Sequence, residues 1–398
     1  MQWLGEIPGH WECVPLKYFI ETKSGTAINV KELDDKGTYP VYGGGSQIGF
    51  CNKYNCEETE IIVGRVGAKC GCVTFPNKKV WATDNALIIK TNLYPRFTAL
   101  VLVAADLNRL NAANAQPLIT GTKIKHVRIA LPPLSEQRSI ISFLDDKCGR
   151  IDEWVTKKQK EVEHLQELKQ RVIADAVTRG LNPHVKMKAT NIPWLKEIPE
   201  HWERNKVLRL FKQIGSGTTP SSGDASLYAD EGTPWLQSGD FNNNEINSTS
   251  KFLTDKALDN YSLKLYNSGG VVIAMYGASI GKVGLLNIAT TVNQACCVLS
   301  DSDHLLQKFS FYVFINEKDN LVKKSKGGTQ PNISQEIIKS HYIPVPPLSE
   351  QRSIVFYLDA KCSKIDKLIA NITKEIECIK EYKQRLISDV VTGQIKVC

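Results

Sequence analysis

At 398 residues, 42% hydrophobic and 23% charged, the chain has an ordinary globular composition and room for two to four domains. A formal net charge of +8 is too modest to argue for nucleic acid by itself, and no apolar run approaches the ~18 residues of a membrane span. MQWLGEIPGH lacks the basic and apolar regions of a signal peptide, and eleven scattered cysteines, an odd number, read as reduced thiols of an intracellular, cytoplasmic protein.

Residues 1–130 open on WLGEIPGHWE at 3–12 and continue through Gly-rich turns and short β-branched runs, with strand candidates EIIVGRV at 60–66 and ALIIK at 86–90. Residues 131–180 hold a long helix. Two prolines cannot extend it backwards, Ser135 can cap its first N–H groups, and Glu136 suits the positive end. Its apolar positions are Leu144, Cys148, Ile151, Val155, Val162, Leu165, Val172 and Ala176, broken at Lys158 and Lys169. The segment 179–193, RGLNPHVKMKATNIP, is polar with two prolines and reads as a linker. A second unit then begins with WLKEIPEHWE at 194–203. It carries strand candidates GVVIAMY at 270–276 and ACCVL at 295–299, and it extends to residue 344. Residues 345–398 repeat the long helix, with a stripe at Leu358, Cys362, Ile365, Ile369, Ile372, Ile376, Ile379, Leu386 and Val390, broken at Lys383. A 4-3 step held this long marks a coiled-coil seam, in contrast to ordinary amphipathic bundle helices.

The chain is therefore a duplication. Residues 131–178 and 345–392 align without a gap and are identical at 26 of 48 positions. Shorter echoes connect the β-rich regions: SGT at 24–26 and 216–218, VGAKCGCV at 66–73 and YGASIGKV at 276–283, TDNA at 83–86 and VNQA at 292–295, AQPLI at 115–119 and TQPNI at 329–333. Two units of one fold with divergent loops suit two readers of different ligands, and a pseudo-two-fold molecule suits a target with two halves. Lys169 and Lys383 occupy the same seam position. A parallel, in-register helix pair would set them side by side, so the pair is expected to be antiparallel, with Lys169 near Ile365.

Catalytic constellations are missing from the sequence. GASIGK at 277–282 is one residue short of a phosphate-binding loop, and Val283 replaces the magnesium-holding Ser or Thr, so it reads as a tight turn between strands. There is no Asn/Asp-Pro-Pro-aromatic motif of an amino-methyltransferase and no Pro-Asp pair of a common nuclease motif. Cys70 with Cys72, and Cys51 with Cys56, lack a second pair or a His cluster for zinc and read as buried thiols.

Two PPLSEQR helices, each followed by an LDxKxxxID pattern, two WLxEIPxHWE segments and two β-rich units together closely resemble the specificity (S) subunit of type I restriction–modification enzymes, over the whole length. The resemblance implies an α+β architecture. Two β-rich target recognition domains (1–130, and 181–344 including the linker) are separated by two long antiparallel coiled-coil helices (131–180 and 345–398). It also implies a non-catalytic DNA-binding protein that reads a bipartite site in double-stranded DNA, one half per domain. The partners implied are two methyltransferase (modification) subunits and restriction (nuclease/translocase) subunits, with no membrane. No cofactor is implied in this chain, and S-adenosylmethionine is expected on the partner methyltransferase. A helix of about 44 residues is ~66 Å long, enough to act as a ruler across one DNA turn of roughly 34 Å. The rival reading is a coiled-coil adaptor that binds only proteins, which footprinting on DNA would separate.

Base edges are read by Arg, Lys, Asn and Gln, with phosphate contacts fixing register. The glycine-flanked loops offer Arg65 and Lys69 in the first unit and Ser279 and Lys282 in the second. Gln116 and Gln330 sit at equivalent places, followed by Lys123 and Lys125 in one unit and Lys339 in the other; Trp235 and Tyr276 could pack on the sugar–phosphate backbone. Residues 1–130 carry 15 Lys/Arg against 11 Asp/Glu, whereas 191–344 carry 15 of each, so partners are expected to supply part of the DNA affinity. Candidate docking residues are Trp3, Trp11, Trp194 and Trp202 in the repeated lead-in segments and Arg138 and Arg352 on the helices; pinning each domain to its helix is the alternative role for the tryptophans.

Overall fold

A computed structural model of the chain describes residues 3–110, 118–325 and 331–397. Two helices dominate it: the central helix Leu134–Arg179, 46 residues, and the distal helix Leu348–Val391, 44 residues. The chain divides into two compact units. Unit 1 comprises Met1–Glu161 with Asn371–Cys398, and unit 2 is Val162–Ala370, so each contains a stretch of both long helices.

Each helix start is built the same way. The PPLSEQR prolines stop the helix from extending backwards, and a glutamine in its first turn folds back to use a proline carbonyl: Gln137 Nε2 donates to Pro132 at 3.0 Å, and Gln351 Nε2 to Pro346 at 2.8 Å. The neighbouring glutamate faces the lead-in segment. Glu136 accepts from Trp11 Nε1 at 2.9 Å and from the His10 ring at 2.8 Å; Glu350 accepts from Trp202 Nε1 at 2.9 Å and from the His201 ring at 2.5 Å. Each tryptophan also meets a helix end. Gly180 follows the central helix with φ +77°, and a Cβ there would lie 3.1 Å from the Trp202 ring; Gly393, at φ +78° beyond the distal helix, would place one 3.2 Å from Trp11 and 2.4 Å from Pro8. Only glycine satisfies both the left-handed conformation and the space.

Within each unit the helix segments are antiparallel. In unit 1, Trp11 joins Glu136 to Gly393, and farther along Lys383 Nζ meets both Asp152 oxygens at 2.6 and 2.7 Å. In unit 2, Trp202 joins Glu350 to Gly180, and Lys169 Nζ meets Asp366 at 2.7 and 2.8 Å. Lys169 thus meets the residue next to Ile365, and its ammonium has the Asp366 carboxylate as acceptor there. The carboxylates are 53% and 64% exposed, so each pair contributes under about 1 kcal/mol and acts chiefly on register. Leu144, Cys148 and Val155 on one helix and Leu358, Cys362, Ile365, Ile372, Ile376, Leu386 and Val390 on the other are buried, as their period demands.

The β-rich parts repeat one topology. Unit 1 has a sheet in the order Ile20–Ser24, Ala86–Thr91, Ile61–Gly64, Val73–Thr74; unit 2 has Gln213–Ser216, Cys296–Ser300, Val271–Ala274, Val283–Leu286, extended by Asn244–Ile246. A parallel pairing recurs beside each, Val41 to Trp81 and Trp235 to Thr291. So does a ladder that returns the chain to its helix, Glu12–Pro15 with Arg128–Leu131 and Glu203–Lys206 with Tyr342–Val345. A basic residue on a domain helix grips each long helix: Arg96 holds Asp145 at 2.6 Å, and Lys308 holds Asp359 at 3.1 Å. GASIGK forms the expected tight turn: Val271–Ala274 pairs antiparallel with Val283–Leu286, and Gly281 N–H returns to Ala274 at 2.8 Å. Of the segment 179–193, residues 180–186 form no helix or strand, as a linker would, whereas its second half pairs. Met187–Ile192 forms a bulged hairpin with Leu195–Pro199, because Thr190 and Ile192 find buried sites while Lys188 and Asn191 face out.

The two clamps generate two predictions. Trp202 is fully buried, so Trp202→Ala should cost about 3–5 kcal/mol of stability, and Trp202→Phe, which removes the donor to Glu350, about 1–2 kcal/mol, read from urea denaturation of the full chain. Hydrogen bonding from Trp11, with a smaller share from His10, holds the Glu136 carboxyl below its ordinary value. A lowered carboxyl stabilises the fold above its unfolded pKa and loses that contribution as pH falls towards its folded pKa. From pH 5 to pH 3 the wild type should therefore lose more stability than Glu136→Gln, measured by urea midpoints at each pH.

Candidate nucleic-acid interface

The divergent loops meet where strands leave the main sheet of each unit. In unit 1 the SGT turn crosses over the loop after Trp81–Ala82. A Cβ on Gly25 would lie 2.3 Å from the Thr83 carbonyl oxygen and 2.4 Å from that of Ala82, while Thr26 N–H donates to Ala82 at 3.0 Å. Unit 2 repeats the crossing more tightly, with a Cβ on Gly217 falling 1.5 Å from the Val292 carbonyl oxygen. Glycine is required at both by close backbone approach, which explains why SGT survives in both copies while its neighbours differ.

Two further segments join each crossing. Arg65 N–H donates to Asn85 at 2.9 Å, its carbonyl accepts from Ile119 N–H at 3.0 Å, and its guanidinium Nη1 reaches Ser24 Oγ at 3.3 Å. In unit 2 the same backbone bonds are made by Met275, to Ala295 at 2.7 Å and from Ile333 at 2.8 Å, so a buried methionine stands where unit 1 has a half-buried arginine. Arg65 Nε is buried and has no acceptor among the described residues. Unit 2 has a different polar cluster there: Gln335 Nε2 donates to Ser216 Oγ at 2.7 Å, and Thr219 Oγ1 donates to Gln294 Oε1.

The predicted residues fall on this frame unevenly. Lys69 is exposed, on a turn packed against Gly45. Lys123 and Lys125 lie on the short helix Gly121–Lys125, with Lys123 Nζ donating to the Leu110 carbonyl at 3.0 Å. Tyr276 precedes the turn Gly277–Ser279 that carries Ser279, is half-buried, and has its phenol raised by burial; Lys282 follows on the same turn. Lys339 is paired to Glu336 at 3.0 Å. Trp235 is 1% exposed, and its indole donates to the Thr218 carbonyl at 3.3 Å, so it supports the loop from behind and offers no face to a ligand. Gln116 and Gln330 lie outside the described residues. Sequence reasoning did not name Ser24, Asn85, Ser216, Thr219, Gln294 and Gln335; the SGT and TDNA/VNQA echoes were the signal, since they mark the two segments that cross in each unit, and only Gln335 lies away from them in sequence.

The candidate docking residues divide by burial. Trp11 and Trp202 are buried in the clamps, and Trp3 is half-buried in the unit 1 core. Trp194 stacks on buried His341 at 4.8 Å, with Lys324 Nζ 3.2 Å from its ring centroid; burial pulls the Lys324 ammonium below its ordinary value. These tryptophans pin the lead-in segments to the domains. Arg138 and Arg352 are exposed, and Arg138 also reaches the Tyr94 hydroxyl and lies 5.3 Å from its ring. Among the described residues no group of three His, Cys, Asp or Glu side chains is placed to hold a metal, and no helix is long and apolar enough to cross a membrane.

A duplicated β-rich domain, each copy presenting its own polar loop cluster beside a shared helix frame, defines a class of two-headed recognition proteins. The family described as the type I restriction modification DNA specificity domain matches this chain twice, at residues 8–164 and 199–378, and the chain belongs to that family. Like other specificity subunits of these systems it is not itself an enzyme. It is similar to two proteins of Methanocaldococcus jannaschii. One is the type I restriction enzyme MjaVIII specificity subunit, 27% identical over 98% of this chain and 94% of that protein; the other is the putative MjaX specificity subunit, 29% identical over 99% and 96%. A solved chain from a study of complex assembly and conformational transition of the type I R-M system shares the fold, with a TM-score of 0.70, 19% identity, and coverage of 98% of this chain and 100% of that one.

The crossing generates a prediction about the loops. Gly217→Ala should lower stability by about 1–3 kcal/mol, because the new methyl meets backbone, whereas Gly239→Ala, with nothing within 4 Å, should change it by less than about 0.5 kcal/mol. Urea midpoints of the two variants check the contrast.

Proposed function

We propose that this chain reads a bipartite sequence in double-stranded DNA, with one half-site read by the loop cluster of each unit. The observation that carries the reading is one backbone arrangement presented twice with different polar groups: Ser24, Arg65 and Asn85 in unit 1, and Ser216, Thr219, Gln294 and Gln335 in unit 2. Arg pairs bidentately with guanine, and Asn or Gln with adenine, so changing these side chains on a fixed frame changes the sequence read. Lys69, Lys123 and Lys125 in unit 1 and Lys282 and Lys339 in unit 2 take the role of phosphate contacts, with Tyr276 and Ser279 on the unit 2 turn.

In this reading the chain docks two methyltransferase subunits, which bind S-adenosylmethionine and carry out methylation, and restriction subunits that cut DNA, in the cytoplasm. Arg138 and Arg352, exposed at matched places on the two helices, are docking contacts. The partners add positive charge around the duplex, which unit 2's domain lacks: residues 191–344 carry 15 basic and 15 acidic side chains.

The test is exchange of residues 12–130 for the corresponding region of a relative, followed by genome-wide mapping of methylated bases. One half of a split motif should change while the other half persists. A chimera that alters both halves, or a host whose methylation pattern is the same with and without this gene, would overturn the reading.

A further inference from the structure

Unit 2 leaves a large apolar side chain uncovered on a long helix. Phe356 is 79% exposed. With Leu181, Tyr357 and Ala360 it lines a groove of 550 Å³ whose remaining walls include Arg352, Lys361 and Lys364, and no carboxylate lines it. Lys361 Nζ lies 5.9 Å from the Tyr357 ring, and neither Arg352 nor Lys364 has a salt-bridge partner among the described residues. An adjoining groove shares Leu181 and Ser353; its one carboxylate, Glu350, is already engaged by Trp202 and His201. The surface is therefore basic, has an aromatic anchor, and lacks an internal counter-charge.

The other repeat supplies a built-in comparison. In gapless alignment Arg138, Lys147 and Arg150 keep all three cations, and Phe143 keeps the aromatic ring of Tyr357. Two positions change character, both in the same direction: Ser142 stands for Phe356, and Asp146 for Ala360. Arg138 is moreover partly engaged by Tyr94. The unit 1 face thus keeps the basic frame, loses the apolar anchor and gains a carboxylate.

We propose that the 352–364 face docks an acidic segment of the methyltransferase subunit, with an apolar side chain of that segment covering Phe356, and that the 138–150 face takes the second copy more weakly. Recurrence of the three cations at matched positions points to one ligand bound twice. Their excess over carboxylates points to an acidic ligand. Phe356 favours protein over DNA, because a sugar–phosphate backbone can neutralise the cations but offers only narrow strips of deoxyribose C–H surface, too little to cover a ring this exposed. The inference rests on the reading that methyltransferase subunits dock on this chain, and adds that the two sites are unequal and fill in order.

The experiment is titration of the full chain with the methyltransferase subunit of the same restriction–modification system, followed by calorimetry and native mass spectrometry. Two steps should appear, the second at least about tenfold weaker, since covering one aromatic side chain amounts to roughly a tenfold to hundredfold change in affinity. Phe356→Ser should weaken the first step to the level of the second, while Ser142→Phe with Asp146→Ala should strengthen the second. The exposed position of Phe356 predicts an unchanged urea midpoint for that variant. Two equal steps unaffected by Phe356→Ser would overturn this inference alone. So would normal assembly combined with weakened DNA binding by the assembled complex, which would assign the face to the duplex. Absence of any methyltransferase binding would overturn both the inference and the docking reading beneath it.

Discussion

A carboxylate in the first turn of each long helix organises the rest of the molecule. Glu136 and Glu350 each accept an indole N–H from a tryptophan of the lead-in segment, and that tryptophan also covers the glycine ending the other helix. One side chain therefore ties together a lead-in segment, a helix start and a helix end. The carboxylate would be poorly placed so close to apolar surface without these donors, and the indole would be a buried unpaired donor without the carboxylate. The dependence is mutual, and the same four residue types, Trp, His, Glu and Gly, occur at both clamps.

The second level of organisation is electrostatic and concerns register more than stability. Lys169 and Lys383 interrupt apolar seams where an aliphatic residue would pack better. Each reaches across to an aspartate, Asp366 or Asp152, that is largely exposed. Such pairs contribute little energy, but a helix shifted by one turn would leave each ammonium facing apolar neighbours. Arg96 with Asp145 and Lys308 with Asp359 do the same between a domain helix and its long helix. Apolar burial holds the helices together, and these charges select the alignment in which the domains meet them.

On this frame the loops are free to differ. The glycine crossings at Gly25 and Gly217 are fixed by backbone contact, as are the bonds made by Arg65 and Met275 through main-chain atoms. Because these constraints involve backbone, they do not fix which side chains the loops carry, and the two units differ there. Unit 1 presents Arg65 where unit 2 buries Met275, and the four strands common to the two main sheets keep the same order. Separating what folds the unit from what it displays allows one scaffold to serve two different polar clusters.

Much of this was legible in the sequence, for reasons that are local. The gapless repeat, the 3.5-residue period, the proline stops and the short β-branched runs are patterns within a few residues or within an aligned copy, and they determined the number of units, the long helices, the four strand candidates and the antiparallel seam. The polar composition of 179–193 misled, because a hairpin needs only alternate residues to be buried, and Thr190 and Ile192 suffice. Trp235 misled in the other direction, since aromatic identity does not report burial. What only the tertiary structure decided are the contacts between distant positions: Trp11 with Glu136, 125 residues apart, Trp202 with Glu350, 148 apart, and the convergence of Ser24, Arg65 and Asn85. A sequence records the residue types such contacts need, but which donor meets which acceptor depends on how the packed core brings remote segments together.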